Sequence, residues 1–382
     1  MTTPPFPTGA EDLLARMVAF PTVNPALGGP VGGESQLAAN LEAMARSWGL
    51  ITRRGPVGAT GAFNLLVTAP VLAGAEWVMF ESHLDTVGVE GMSVPPFQLT
   101  AGDDRLYGRG ACDTKGSGAA MLWALKTFAG DPDRRRNAGI AFVVDEEAGM
   151  TGAQAFAASE LRALPRLRGI IVGEPTRLRP VTAHNGAVRW RSITRGVAAH
   201  SSDPTLGRSA ISGMLRVVAA LEEKFIPLAT ATHPLTGRAA ASINVIRGGS
   251  AVNIIPDHCE ILCDRRIVPG ESPAVVLAQR DAAVAGLEVE HDRVDIAPPL
   301  APEAAAPLFQ WIQPALTAAG LRSDATGAPY ATDGGHYAAA GAPTIVLGPG
   351  DIAQAHTRDE WLDRGELNRA VALYLAILRL PA

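Results

Sequence analysis

Apolar residues follow two rhythms in the first half of the chain. Residues 10–20 and 34–48 space them at three and four, the period of a helix with one buried face. Residues 76–80 (EWVMF), 140–144 (IAFVV) and 169–172 (GIIV) are short continuous apolar runs, as expected of strands covered on both faces. The helical spacing returns at 118–128. Strands alternating with helices predict an α/β layer around a mostly parallel sheet.

From about Thr182 the pattern changes. Residues 188–195 (VRWRSITR) alternate as a strand with one wet face, and 209–224 carry Ile211, Met214, Leu215, Val218 and Leu221 on one helical side. Strands at 240–247 and 259–267, a helix at 273–285 and a strand at 287–293 follow. This β-α-β-β-α-β order predicts a compact α+β module of ferredoxin-like type. After the proline-rich 297–302 (APPLAP), helix and strand alternate again, with a buried strand at 344–347. The expected organisation is one α/β domain, 1–180 and 295–382, interrupted by an inserted module at 181–294.

Composition narrows the function classes. At 382 residues and 47% hydrophobic, the chain has enough apolar material for two cores. A formal charge of −5 without a basic stripe argues against a nucleic-acid partner. No apolar run approaches the ~20 residues of a membrane span, and the N-terminus lacks the basic and apolar regions of a signal peptide. Three cysteines at unhelpful spacings (Cys112, Cys259, Cys263) do not form a disulfide framework, so a reduced cytoplasmic setting is expected.

Candidate chemistry gathers where strands end. His83-Leu84-Asp85 follows the run at 76–80; on an extended segment both side chains point one way, so a carboxylate can orient an imidazole. Read alone, an H-x-D is more commonly a surface pair. Gly108, Gly110 and Gly116 bring Asp113 to a helix start. The loop resembles a phosphate cradle only superficially, because Lys115-Gly116-Ser117 is in the wrong order and Asp113 would repel phosphate. Asp145-Glu146-Glu147 follows the run at 140–144, either as a solvated helix start or as carboxylates that need cations. Glu174 and His356 stand in glycine-rich turns. In an open α/β sheet the carboxyl ends of the strands form the binding edge. Two histidines plus carboxylates, without a thiolate cluster, fit zinc or a similar divalent ion.

These residues lie in the segments SHLDTV (82–87), LYGRGACDTKG (106–116), DEE (145–147), GEPT (173–176), GVAAHSS (196–202), DRRIVPG (264–270) and GPGDIAQAHTRDEW (348–361). In that order they resemble the zinc aminoacylase, acetylornithine deacetylase, succinyl-diaminopimelate desuccinylase and carboxypeptidase G family across essentially the whole chain. The resemblance implies a zinc-peptidase-like catalytic domain with a lid and dimerisation insert, and hydrolysis of an amide in an N-acyl amino acid or dipeptide. It implies two Zn2+ per subunit, with Co2+ or another divalent ion as alternatives. His83 and Glu174 would hold one ion, Glu147 and His356 the other, and Asp113 both, with a cis peptide before Thr114.

By the same resemblance Glu146 is the general base, Asp85 orients His83, His200 stabilises the oxyanion across a homodimer, and Arg266 and Asn244 grip the substrate carboxylate. Arg266 could instead be a partner for Asp264, and His200 a member of a polar HSSD turn. The segments at 264–270 and 348–361 resemble acetylornithine deacetylase-like members most closely, whereas Thr114 and the loop at 88–95 depart from them. A metallo-carboxypeptidase or dipeptidase, a desuccinylase, and a non-catalytic binding relative are the competing expectations.

Overall fold

A computed structural model of the chain describes residues 6–59 and 61–381. It divides into two compact units: Met1–Thr182 with Pro302–Thr326 and Thr332–Ala382, and Ala183–Ala301 with Gly327–Ala331.

The first unit is built on an eight-stranded sheet. Four strands at its centre, Asn137–Val143, Trp77–His83, Leu167–Val172 and Thr344–Val346, run parallel in that order. Every residue of Trp77–His83 and of Asn137–Val143 is buried, which is why the stretches 77–80 and 140–143 within them are continuous apolar runs rather than alternating ones. The hairpin Ile51–Val57 and Ala62–Thr68 extends the sheet antiparallel at one side. Its first strand, ITRRGPV, carries too many polar residues to stand out as a strand.

Helices cover both faces. On the side of Phe80 and Ser82, Arg364–Leu378 sets Tyr374 5.1 Å from the Phe80 ring, and Gly118 of Lys115–Ala129 lies against Ser82. Arg364–Leu378 starts cleanly because the Asp363 carboxylate accepts the Glu366 N–H at 2.6 Å. On the opposite side, with Met79, Glu81 and His83, the short helix Gly334–Ala339 packs on Thr344 and Val346. Tyr337 of that helix meets Phe156 of Thr151–Ala158 edge-on. No helix among the described residues is long and apolar enough to cross a membrane.

The second unit has a four-stranded antiparallel sheet in the order Ala240–Gly248, His258–Ile267, Gly186–Arg195, Glu290–Ala297. With helices Ala210–Lys224 and Pro273–Ala283 between them, these strands form the β-α-β-β-α-β module. His258–Ile267 alternates strictly, burying Cys259, Ile261, Cys263 and Ile267 against Met214, Val217, Leu221 and Val276. Its wet face is laced by ion pairs from Arg189 to Asp264 and from Arg191 to Glu260 and Asp292. The last strand runs later than its apolar pattern indicates, through Ala297, because a register break between Asp292 and Asp295 interrupts the alternation. All three cysteines are free and buried.

Candidate metal centre

Side chains from the carboxyl ends of all four parallel strands meet in the first unit. His83 closes Trp77–His83, and its Nδ1 lies 3.0 Å from the Asp85 carbonyl oxygen. With the proton on Nδ1, the Nε2 lone pair is free to ligate. Nε2 faces Asp113 Oδ1 at 3.2 Å and Glu174 Oε1 at 3.9 Å, Glu174 being carried just beyond Leu167–Val172. His356, after Thr344–Val346, places Nε2 3.3 Å from Asp113 Oδ2 and 3.0 Å from Glu147 Oε2. Asp113 thus gives one oxygen to each histidine. Its bond to Thr114 is cis.

The donor spacing suits metal ions. Metal–ligand bonds of about 2.0–2.2 Å at tetrahedral angles put neighbouring ligand atoms about 3.3–3.6 Å apart. The donor atoms of His83, Asp113 and Glu174, and those of Asp113, Glu147 and His356, each lie within 4.8 Å of one another. Both sets are nitrogen and oxygen only, the choice of a borderline divalent ion. Cys112 is no rival ligand: burial holds its thiol well above the usual range, and it is used as a small core residue.

Electrostatics point the same way. Against the cost of burial, hydrogen bonds with His356 and His83 hold the Asp113 carboxyl far below its ordinary value. Burial, reinforced by Asp113 and other neighbouring carboxylates, pushes Glu174 up; burial also raises Glu147 and Glu146. Asp113 and Glu147 lift His356 to about 10. Such crowded carboxylates in a partly water-excluded site call for cationic neighbours.

Two further carboxylates hold the ligands in place. Asp85 accepts from Glu146 N and Glu147 N at 3.0 Å each and from Asn24 Nδ2 at 2.8 Å, so it anchors the Glu146-Glu147 turn as well as standing beside His83. Glu360 accepts from Gly110 N at 2.9 Å, Cys112 N at 2.7 Å and Asp113 N at 2.8 Å. Arg109 donates to Glu360 Oε2 at 2.8 Å and to the carbonyls of Gly88 and Thr357. Together these bonds tie the Asp113 loop to the segment that carries His356. Asn24, Arg109 and Glu360 were not singled out from the sequence. Their signal is faint: Arg109 and Glu360 lie within the segments 106–116 and 348–361, but a pairing across 251 positions is invisible locally.

The remaining candidates belong to the second unit. His200 Nδ1 lies 2.7 Å from Ser202 Oγ on an exposed edge, so the polar-turn contact is formed. Arg266 pairs with Asp264 of its own strand at 2.9 Å. Asn244 is exposed at the register break of its strand.

The family model for peptidase family M20/M25/M40 matches residues 79–380. Among curated proteins, the acetylornithine deacetylase of Edwardsiella ictaluri (strain 93-146) is 34% identical over 364 residues, 92% of each chain. Among solved structures, an M20 family metallo-carboxypeptidase from Sulfolobus solfataricus has TM-score 0.77 at 16% identity, covering 96% of this chain and 98% of that one. The YxeP protein of Bacillus subtilis, described as a dinuclear metal binding peptidase, has TM-score 0.68 at 14% identity, covering 97% of each.

Proposed function

The chain belongs to peptidase family M20/M25/M40, and from that premise we propose that it hydrolyses the amide bond of an N-acyl amino acid, in the manner of an acetylornithine deacetylase. At the coarser level it is a metal-dependent amidohydrolase. One observation carries the two-ion chemistry: Asp113 divides its two oxygens between His83 and His356, at 3.2 and 3.3 Å. This is the arrangement of a carboxylate shared by two ions. The 34%-identical deacetylase supports the substrate class.

In this reading His83, Asp113 and Glu174 hold one divalent ion, and Asp113, Glu147 and His356 the other, with zinc as the expected metal. Such a pair, when bound, acidifies a water and polarises the scissile carbonyl. Glu146 takes the proton from that water and returns it to the leaving nitrogen, giving a carboxylate and a free amine. Asp85 keeps His83 in the tautomer that leaves Nε2 unprotonated. From the second unit, His200 donates to the developing oxyanion, and Arg266 and Asn244 receive the substrate carboxylate. That unit serves as a lid and as the contact of a homodimer.

Metal analysis together with Glu146→Gln tests the proposal. About two divalent ions per chain are expected in both proteins, with turnover of N-acetyl amino acids reduced by roughly 10²–10⁴-fold in the variant. A variant with full turnover removes the base assignment. Hydrolysis of dipeptides only, with N-acetyl and N-succinyl amino acids untouched, overturns the substrate class.

A further inference from the structure

Behind His83 lies a second group of acids that the reaction does not use. Glu81 is two residues before His83, on the same face of its strand, and Asp333 precedes the helix Gly334–Ala339 packed on that face. Register brings them together: Glu81 pairs with Val172, Val172 with Val346, and Gly334 lies against Val346. Each carboxylate is 1% exposed. None of their four oxygens has a hydrogen-bond partner, nor has the buried Tyr337 hydroxyl one helical turn beyond Asp333. Asp333 does not cap its own helix. None of these carboxylate oxygens accepts from a Lys or Arg among the described residues. Tyr337 feels both carboxylates, and Asp333 feels Glu81 more than any other charge.

We propose that Glu81, Asp333 and the Tyr337 hydroxyl form a third cation site, taking a monovalent hard cation, Na+ or K+, between the sheet and the helix Gly334–Ala339. Two buried carboxylates without a basic partner are costly unless a cation meets them. The donors are all oxygen, which favours a hard ion over zinc. Two carboxylates and one hydroxyl offer at most five oxygens in a closed site, fewer than the six to eight that Ca2+ takes, and Mg2+ retains several waters. A divalent guest would also feel twice the repulsion from ions at His83. That choice of charge rests on the dimetal reading; the site itself does not.

The test compares thermal unfolding of the metal-loaded protein in NaCl or KCl with choline chloride at equal ionic strength. A saturable rise of roughly 2–4 °C is expected with the small cations. Asp333→Asn is expected to abolish the rise while keeping the divalent metal content of the wild type. Failure of the dimetal reading would show separately, as no divalent ion in either protein. Equal midpoints of the wild type in choline and in K+ overturn the proposal in favour of a proton shared by the two acids. A full rise retained in Asp333→Asn overturns it also. Should that variant not fold, thallium(I) NMR on the wild type decides: a bound resonance displaced by K+ supports the site, and its absence overturns it.

Discussion

At Asp85 one carboxylate accepts from Asn24 Nδ2 and from the backbone of Glu146 and Glu147, and stands 3.5 Å from His83 Nδ1. Asp85→Asn would turn an N–H donor toward N–H groups on at least one side. Metal affinity, followed by chelator competition, should fall by roughly 10–100-fold. A variant that holds its metal as tightly as the wild type would assign Asp85 no such role. His336 offers a different residue-scale measurement. Burial alone holds its imidazole down at about 4, and its Nε2 has no partner. Because the folded value lies below the unfolded 6.5, the unfolded chain takes up the proton first as pH falls. The stabilising contribution is whole above about pH 6.5 and is lost progressively toward pH 4; the loss at pH 5 is up to ~2 kcal/mol. His336→Leu should therefore narrow the gap in unfolding midpoint between pH 7.5 and pH 5. An unchanged gap would mean that the imidazole is not buried neutral.

Between elements, the Arg109–Glu360 pair does what no single helix or strand can. The pair joins the glycine loop before Lys115–Ala129 to the turn that carries His356, with both side chains almost fully buried, 3% and 1% exposed. Glu360→Gln leaves Arg109 buried without its counter-charge, at a cost of about 3–5 kcal/mol. Urea unfolding should show that loss, and metal titration should show Asp113 and His356 no longer acting together. Glycines matter in the same way at two places. Gly110 needs its positive φ of 81° to turn the loop. A Cβ on Gly348 would lie 2.4 Å from the Glu174 carbonyl oxygen. Gly348→Ala is expected to displace Glu174 and destabilise the protein by roughly 1–3 kcal/mol, measurable as a lower unfolding midpoint with weaker metal binding. The elements differ in how plainly their sequences announce them. Fully buried parallel strands and one-sided helices were legible as runs and periods. The strand Ile51–Val57 was not, because five of its seven residues remain partly or fully exposed and its pairing with Ala62–Thr68 supplies what its composition lacks.

Across the whole chain, the proposed assembly makes a test that neither unit could pass by itself. If His200 serves the partner's site in a homodimer, His200→Ala and Glu146→Gln proteins should be inactive apart and recover activity when mixed and allowed to exchange. Random exchange between two such variants restores about one site in four. No recovery, with exchange demonstrated, would place His200 in its own subunit's chemistry or outside it. Removing the ions should lower the unfolding midpoint and restoring them should return it, since the crowded carboxylates around Asp113 then lose their counter-charge.

The sequence by itself pointed to two modules and to the helices and strands with unbroken periods, and it set out His83, Asp85, Asp113, Glu146, Glu147, Glu174 and His356 as candidates for one site. Periodicity and residue chemistry are local properties, and a string of residues states them directly. Only the tertiary structure decided that Asp113 would present one oxygen to each histidine. Only it placed Glu360 to hold that loop and set Glu81 and Asp333 unpaired behind His83. Those relations depend on strand order and on which groups lose their water, quantities that exist only once distant segments have packed.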